Sequence, residues 1–182
     1  MKELSLHILD IAQNSLKAEA KNIAISIKDS ADADKLEVTI QDNGSGMAPD
    51  FLARVTEPFT TTRTTRKVGL GLPLLKMAAE LAGGTFNIKS ELGAGTDVYA
   101  SFVRSHLDTP PVGDMAETIV TLVQGAPDID FSYSYEQDNG KLTFTTAEIR
   151  EILADTPLNY PEVLSWIREH LKELESSELK RF

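Results

Sequence analysis

Residues 42–47, Asp42-Asn43-Gly44-Ser45-Gly46-Met47, decide how the rest of the chain is read. Just upstream, 36–41 alternate apolar and polar residues, so the spacing predicts that Asp42 stands where a half-buried strand ends. A carboxylate in that place can accept a hydrogen bond from an exocyclic amine. Gly44 and Gly46 let the backbone approach a flat ring, and Met47 is an adaptable apolar wall for one. By itself the loop reads equally as an ordinary turn from strand to helix. It is not a calcium loop, because Gly44 takes the third ligand position and no glutamate stands at the twelfth.

Working outward, 23–27 predict a second strand, joined to 36–41 by a polar turn at 29–34. Before it, 3–20 predict a helix with Leu4, Ile8, Ile11 and Ser15 on one face and Leu9, Ala12 and Leu16 widening the apolar arc. Asp10, Asn14 and Lys17, at i, i+4 and i+7, share a stripe beside that face, extended by His7 and Lys21. The stripe is either a solvated helix edge or an amide oxygen and an ammonium aimed together at a polyphosphate and its metal. Asn suits hard Mg²⁺, and Lys supplies a point charge.

Downstream of the loop, 49–55 predict a short helix opened by Pro49. Residues 57–68 read as a mobile loop, and 71–81 as a helix closed by Gly83-Gly84. Gly69-Leu70-Gly71-Leu72 opens that helix behind a loop carrying Arg63, Arg66 and Lys67, the ingredients of an anion site at a helix N-terminus. It is neither a Walker P-loop, for want of G-x-x-x-x-G-K-[ST], nor a Rossmann fingerprint, since position 74 is leucine. Strands at 85–90 and 97–103 flank Gly93-Ala94-Gly95-Thr96. That turn needs no ligand, although its threonine hydroxyl could reach a buried base. Elements in this order predict an α/β sandwich, one mixed sheet with helices packed on a face.

Composition narrows the function classes. The 182 residues suffice to bury a real core, and they include no cysteine, which excludes disulfide frameworks and thiolate metal sites. His7, His106 and His170 are too scattered for a metal site. No apolar run approaches the roughly 18 residues of a membrane span, and no signal stretch opens the chain, so a cytoplasmic protein is expected. A net charge of −10 argues against nucleic acid or an anionic membrane as partner. That charge is uneven, −2 over 1–103 and −8 over 104–182. The organisation expected is a domain at 1–104, a linker at 105–113 and an acidic α+β extension at 114–182.

Within the extension, 115–123 predict a helix, and 130–136 with 141–145 a hairpin about Asn139-Gly140. Helices at 147–153 and 161–174 close the chain, the last with an apolar face of Leu164, Trp166, Ile167 and Leu171 that needs burial. So short a segment can scarcely bury a large core alone. It either offers a surface to a partner or packs back on the sandwich.

Taken together, the motifs resemble those of the GHKL ATPase superfamily, which includes gyrase, heat-shock chaperone, histidine kinase and mismatch-repair ATPases. Residues 10–17 resemble its N box and 42–47 its first glycine box. Glu57-Pro58-Phe59-Thr60-Thr61-Thr62-Arg63 is similar to the phenylalanine-containing stretch of the kinases, 69–72 to the second glycine box and 93–96 to the third. The resemblance spans about residues 4–103 and implies the Bergerat fold and ATP with Mg²⁺ as ligands. It implies that Asn14 coordinates Mg²⁺, that Lys17 contacts phosphate and that Asp42 binds the adenine amine. Gly44, Gly46 and Met47 would line the base, with Thr96 assisting through a water. Residues 59–68, Thr62 and Arg63 among them, would form the ATP lid, with Gly69, Leu70, Gly71 and Leu72 wrapping the phosphates.

Two departures from the family pattern qualify the activity. Hydrolytic members place glutamate four residues before the N-box asparagine as general base; here it is Asp10, one methylene shorter. Asp10 is the candidate catalytic residue, a group of the second metal shell, or part of the polar stripe. Histidine kinases also carry a phosphoacceptor module ahead of this domain, whereas here the N box begins within ten residues of Met1. The expectation is a kinase acting in trans on a protein partner, through the extension if it serves as the docking surface. The alternative is a nucleotide-gated binding switch with little turnover.

Overall fold

The computed structural model describes residues 3–57 and 70–179. Its elements are α1 (Leu4–Lys17), β1 (Asn22–Ser30), β2 (Lys35–Asp42), α2 (Pro49–Leu52), α3 (Gly71–Leu81), β3 (Phe86–Glu91) and β4 (Gly95–Val103). There follow α4 (Met115–Gly125), β5 (Asp130–Gln137), β6 (Gly140–Thr145), α5 (Thr146–Leu153) and α6 (Pro161–Glu178). The strands form one mixed sheet in the order β3-β4-β2-β1-β5-β6, antiparallel except where β1 runs parallel to β5.

The alternation read in the sequence sets the two faces. Ile25 and Ile27 lie in register with Ile40 and Val38 on one side, and Ile23, Ile25 and Ile27 with Phe131, Tyr133 and Tyr135 on the other. This row is buried beneath the helices, Tyr135 only partly. Helices pack in the lateral order α3, α1, α4, α6, so α1 lies between neighbours at the centre of the layer. The opposite face is polar. There Tyr99 donates to Glu37 at 2.5 Å and Ser134 to Ser26 at 3.2 Å. The result is a two-layer α/β sandwich with the Bergerat architecture.

Residues 114–179 share this sheet. The β5–β6 hairpin adds two strands at the β1 edge, giving β1 a neighbour on each side. The preceding segment is tied in as well: the carbonyls of Pro111 and Val112 accept the Leu4 and Ser5 N–H groups at 2.9 and 2.8 Å. These are two of the free donors at the start of α1, which no side chain caps.

Three expectations shift in detail. The first helix ends at Lys17, because Glu19 turns left-handed (φ 58°) and Ala20 N–H bonds back to the Ser15 carbonyl. The hairpin turns on Asp138 and Asn139, one residue early, with Gly140 already paired to Gln137. From this turn Asp138 reaches the neighbouring β1–β2 turn, accepting from Ser30 Oγ and the Ala31 and Asp32 N–H groups. Leu164, Ile167 and Leu171 are buried, but Trp166 is 47% exposed and stacks on His170 with ring centroids 4.7 Å apart. Two residues along a helix turn the side chain about 200° from Leu164, away from the buried stripe.

Candidate functional site

The end of α1, the end of β2 and the turn before β4 meet at one tip of the sheet. Ala18, just past α1, accepts the Ser45 N–H on its carbonyl at 2.8 Å. Asn43 fastens the loop to the start of β1, its Oδ1 accepting the N–H groups of Lys21 and Asn22 at 2.8 Å each. The Ser45 carbonyl accepts the Gly93 N–H at 2.8 Å. Gly46 adopts φ +66°, and a Cβ there would collide with the backbone carbonyl of Glu91, so only glycine lets the loop lie against the turn.

Asp42 stands in this junction, half-buried. Its Oδ1 accepts the Gly44 N–H at 2.9 Å and its Oδ2 accepts the Ser15 hydroxyl at 2.5 Å. Thr96 is its register partner on β4. The Thr96 hydroxyl is 2.8 Å from Ser90 Oγ, which also accepts the Met47 N–H at 2.9 Å. Met47 packs partly buried against the core. Hydrogen bonds join Asp42 to Gly44 and, through Ser90, Met47 to Thr96; strand register and the close approach of Gly46 bring the two sets together.

Asn14 and Lys17 reach the same tip from the last turn of α1, both exposed, and no ion pair engages Lys17 among the described residues. Asp10, half-buried and one turn earlier, faces α3: a Cβ on Gly71 would collide with its Oδ2. Gly71 therefore lets a carboxylate rest against the first turn of α3, where unpaired N–H groups favour negative charge. Leu70 is half-buried, and Leu72 lies in the core at 8% exposure, its side chain committed to packing. Thr62, Arg63 and Gly69 lie outside the described residues, as does the expected lid at 59–68.

His7, one turn before Asp10, is buried, and neither ring nitrogen has a partner among the described residues. Burial pushes its pKa down to about 4, which holds the ring neutral.

Two residues of the cluster escaped the sequence reading as site residues. Ser15 lay in the apolar stripe of α1, and a serine there is itself a signal, because a buried hydroxyl needs a partner. Ser90 carried no signal, since nothing local tells a strand serine that bonds across a turn from one facing water. A cleft of about 330 Å³ opens beside Asp42 at the foot of β1, β2, β5 and β6, lined by Gln41, Asp130, Ser132 and Thr145 among others. Asp42 borders it too, whereas Asn14, Lys17, Gly46 and Thr96 do not.

Residues 2–106 match the family described as Histidine kinase-, DNA gyrase B-, and HSP90-like ATPase. Over 95 residues the chain is 33% identical to the histidine protein kinase DivJ of Caulobacter vibrioides, an alignment covering 50% of this chain and 16% of that one. Over 101 residues it is 36% identical to the sensor protein SrrB of Staphylococcus aureus, covering 53% and 17%. The chain thus spans about a sixth of the length of these kinases. The Aquifex aeolicus MutL ATPase domain complexed with ADP shares the fold, with a TM-score of 0.56, 11% identity and all of both chains covered.

Proposed function

The chain belongs to the family of histidine kinase-, DNA gyrase B- and HSP90-like ATPases, and on that premise we propose that it binds Mg-ATP and phosphorylates a partner protein in trans. The observation that carries the reading is the Asp42 carboxylate, held open as an acceptor between Ser15 and the Gly44 N–H. Its chemistry fits an adenine amine, and the Gly46 approach and Met47 supply the flat apolar flank. The donor set also fits Mg-polyphosphate. No group of three metal-ligating side chains gathers among the described residues. Magnesium bound through phosphates asks for only one or two protein oxygens, and Asn14 supplies one.

Mg-ATP would bring the transferable phosphoryl group. The protein's part is to orient the base at Asp42, hold the metal side at Asn14 and offset phosphate charge at Lys17. The partner would dock on the acidic surface of α5 and α6, where Glu148, Glu151, Glu162, Glu169, Glu173 and Trp166 are exposed. Such a protein would act in the cytoplasm, in signalling or regulation. Among the described residues no helix is long and apolar enough to cross a membrane.

One observation favours a second reading, a nucleotide-gated switch with little turnover. Asp10, the shorter acid, rests against Gly71 and so links α1 to the start of α3. A nucleotide that displaced this carboxylate would move α3 without any transfer.

The test is to incubate the full chain with γ-labelled ATP and Mg²⁺, with and without candidate partner proteins. Label on a partner supports the kinase, and tight binding without transfer or hydrolysis supports the switch. Absence of ATP binding at millimolar nucleotide would sink both.

A further inference from the structure

Ser15 is one of six buried polar or charged residues in the described chain, 3% exposed. A helical serine commonly faces solvent or bonds back to a carbonyl in its own preceding turn. Ser15 instead spends its proton on Asp42, 27 positions away. We infer that Ser15 is a positioning residue, which fixes the Asp42 carboxylate as an acceptor for an exocyclic amine and so sets a preference for adenine over 6-oxo purine nucleotides. This rests on the reading of Asp42 as the adenine anchor.

The geometry supplies the argument. The torsion that turns a carboxylate about its last bond is broad and poorly defined in a free aspartate. At Asp42 one donor addresses each oxygen, Ser15 on Oδ2 and the Gly44 N–H on Oδ1, which closes that freedom. An ionised carboxylate has about four lone-pair sites, so each oxygen keeps acceptor capacity while having no proton to give. A base edge bearing an amine finds an acceptor already aimed. A base edge bearing a carbonyl meets a like partial charge. Without the hydroxyl, the carboxylate keeps its charge and loses its aim, so the penalty falls on the amine bond alone. A tie that merely held α1 to β2 would cost both kinds of base equally.

The experiment titrates the full chain with ATP and with inosine triphosphate, whose base carries an oxygen in place of the amine. Ser15→Ala is expected to weaken ATP binding by about tenfold, as for a charge-assisted hydrogen bond, while inosine triphosphate binding stays within about twofold. Ser15→Thr keeps the hydroxyl and is expected to keep the wild-type ratio. Equal losses for both nucleotides, an unchanged ratio in Ser15→Ala, or a collapsed ratio in Ser15→Thr would each overturn the inference. Asp42→Asn in the same assay separates the two layers of the argument. If it binds ATP like wild type, the adenine-anchor reading falls; if it loses ATP while Ser15→Ala matches wild type, only the role of Ser15 falls.

Discussion

The hairpin of β1 and β2 ends in two opposite ways. At its closed turn the chain answers its own polar groups. Asp138 reaches over from the β5–β6 turn to Ser30, Ala31 and Asp32, Arg104 pairs with Asp29 at 2.5 Å, and Ser105 bonds Asp34 through backbone and side chain. At its open end, Asp42 keeps acceptor capacity where β2 enters its loop, and Asn14 and Lys17 stand exposed on the last turn of α1. One end is satisfied from within; the other is, on the proposed reading, completed by a nucleotide. On that reading a structural turn and a binding loop share two strands and differ in where their hydrogen bonds are left unspent.

Four changes test this contrast, from the largest expected effect to the smallest. Gly46→Ala forces a left-handed backbone and a collision with the Glu91 carbonyl. It should cost about 2–4 kcal/mol in denaturant melts and more than about 100-fold in ATP affinity by calorimetry. Two turns back along α1 from Asn14, His7 is held neutral with a pKa of about 4 against an ordinary 6.5. Below that ordinary value the unfolded chain takes up a proton that the fold refuses. The contribution of His7 is therefore complete above about pH 6.5 and is lost as pH falls towards 4, by up to about 3 kcal/mol. Urea titrations from pH 7 to 4.5 should show a shallower loss in His7→Leu than in wild type; parallel curves would refute it.

Lys17→Ala should weaken ATP binding by about tenfold and leave melting unchanged, since no ion pair holds Lys17 among the described residues. Asp138→Ala, at the closed turn, should do the reverse. Its melting temperature should fall by roughly a few degrees with ATP affinity intact. A loss of ATP binding there would erase the distinction between the two ends.

Much of the open end was legible in the sequence, because its signals are local. The 3.6-residue stripe of α1 and the alternation before Asp42 are periodic, and the glycines at 44, 46 and 71 mark close approaches without saying that Ala18, Glu91 and Asp10 are what they approach. What stayed hidden is long-range. Nothing in 130–137 says that this strand lies parallel to β1, about 108 positions back in register. Pairing over such separations leaves no periodic trace, since β5 would alternate in the same way against any neighbour. The change of charge near Arg104 reports surface, and surface says little about which sheet a strand enters. Ser15 and Asp42 met for the same hidden reason. At Trp166 the sequence reading went against a local signal, because the helix period turns it about 200° from Leu164.

Amide mapping by NMR tests the central claim most directly. The full chain, labelled with nitrogen-15, would be titrated with ADP and Mg²⁺ and its backbone shifts followed. The account predicts shifts concentrated at Gly44, Gly46, Met47, Gly93 and Thr96, with Ala31, Asp32 and Asn139 unmoved. Shifts centred on the closed turn, or none at the glycine loop at saturating nucleotide, would contradict it.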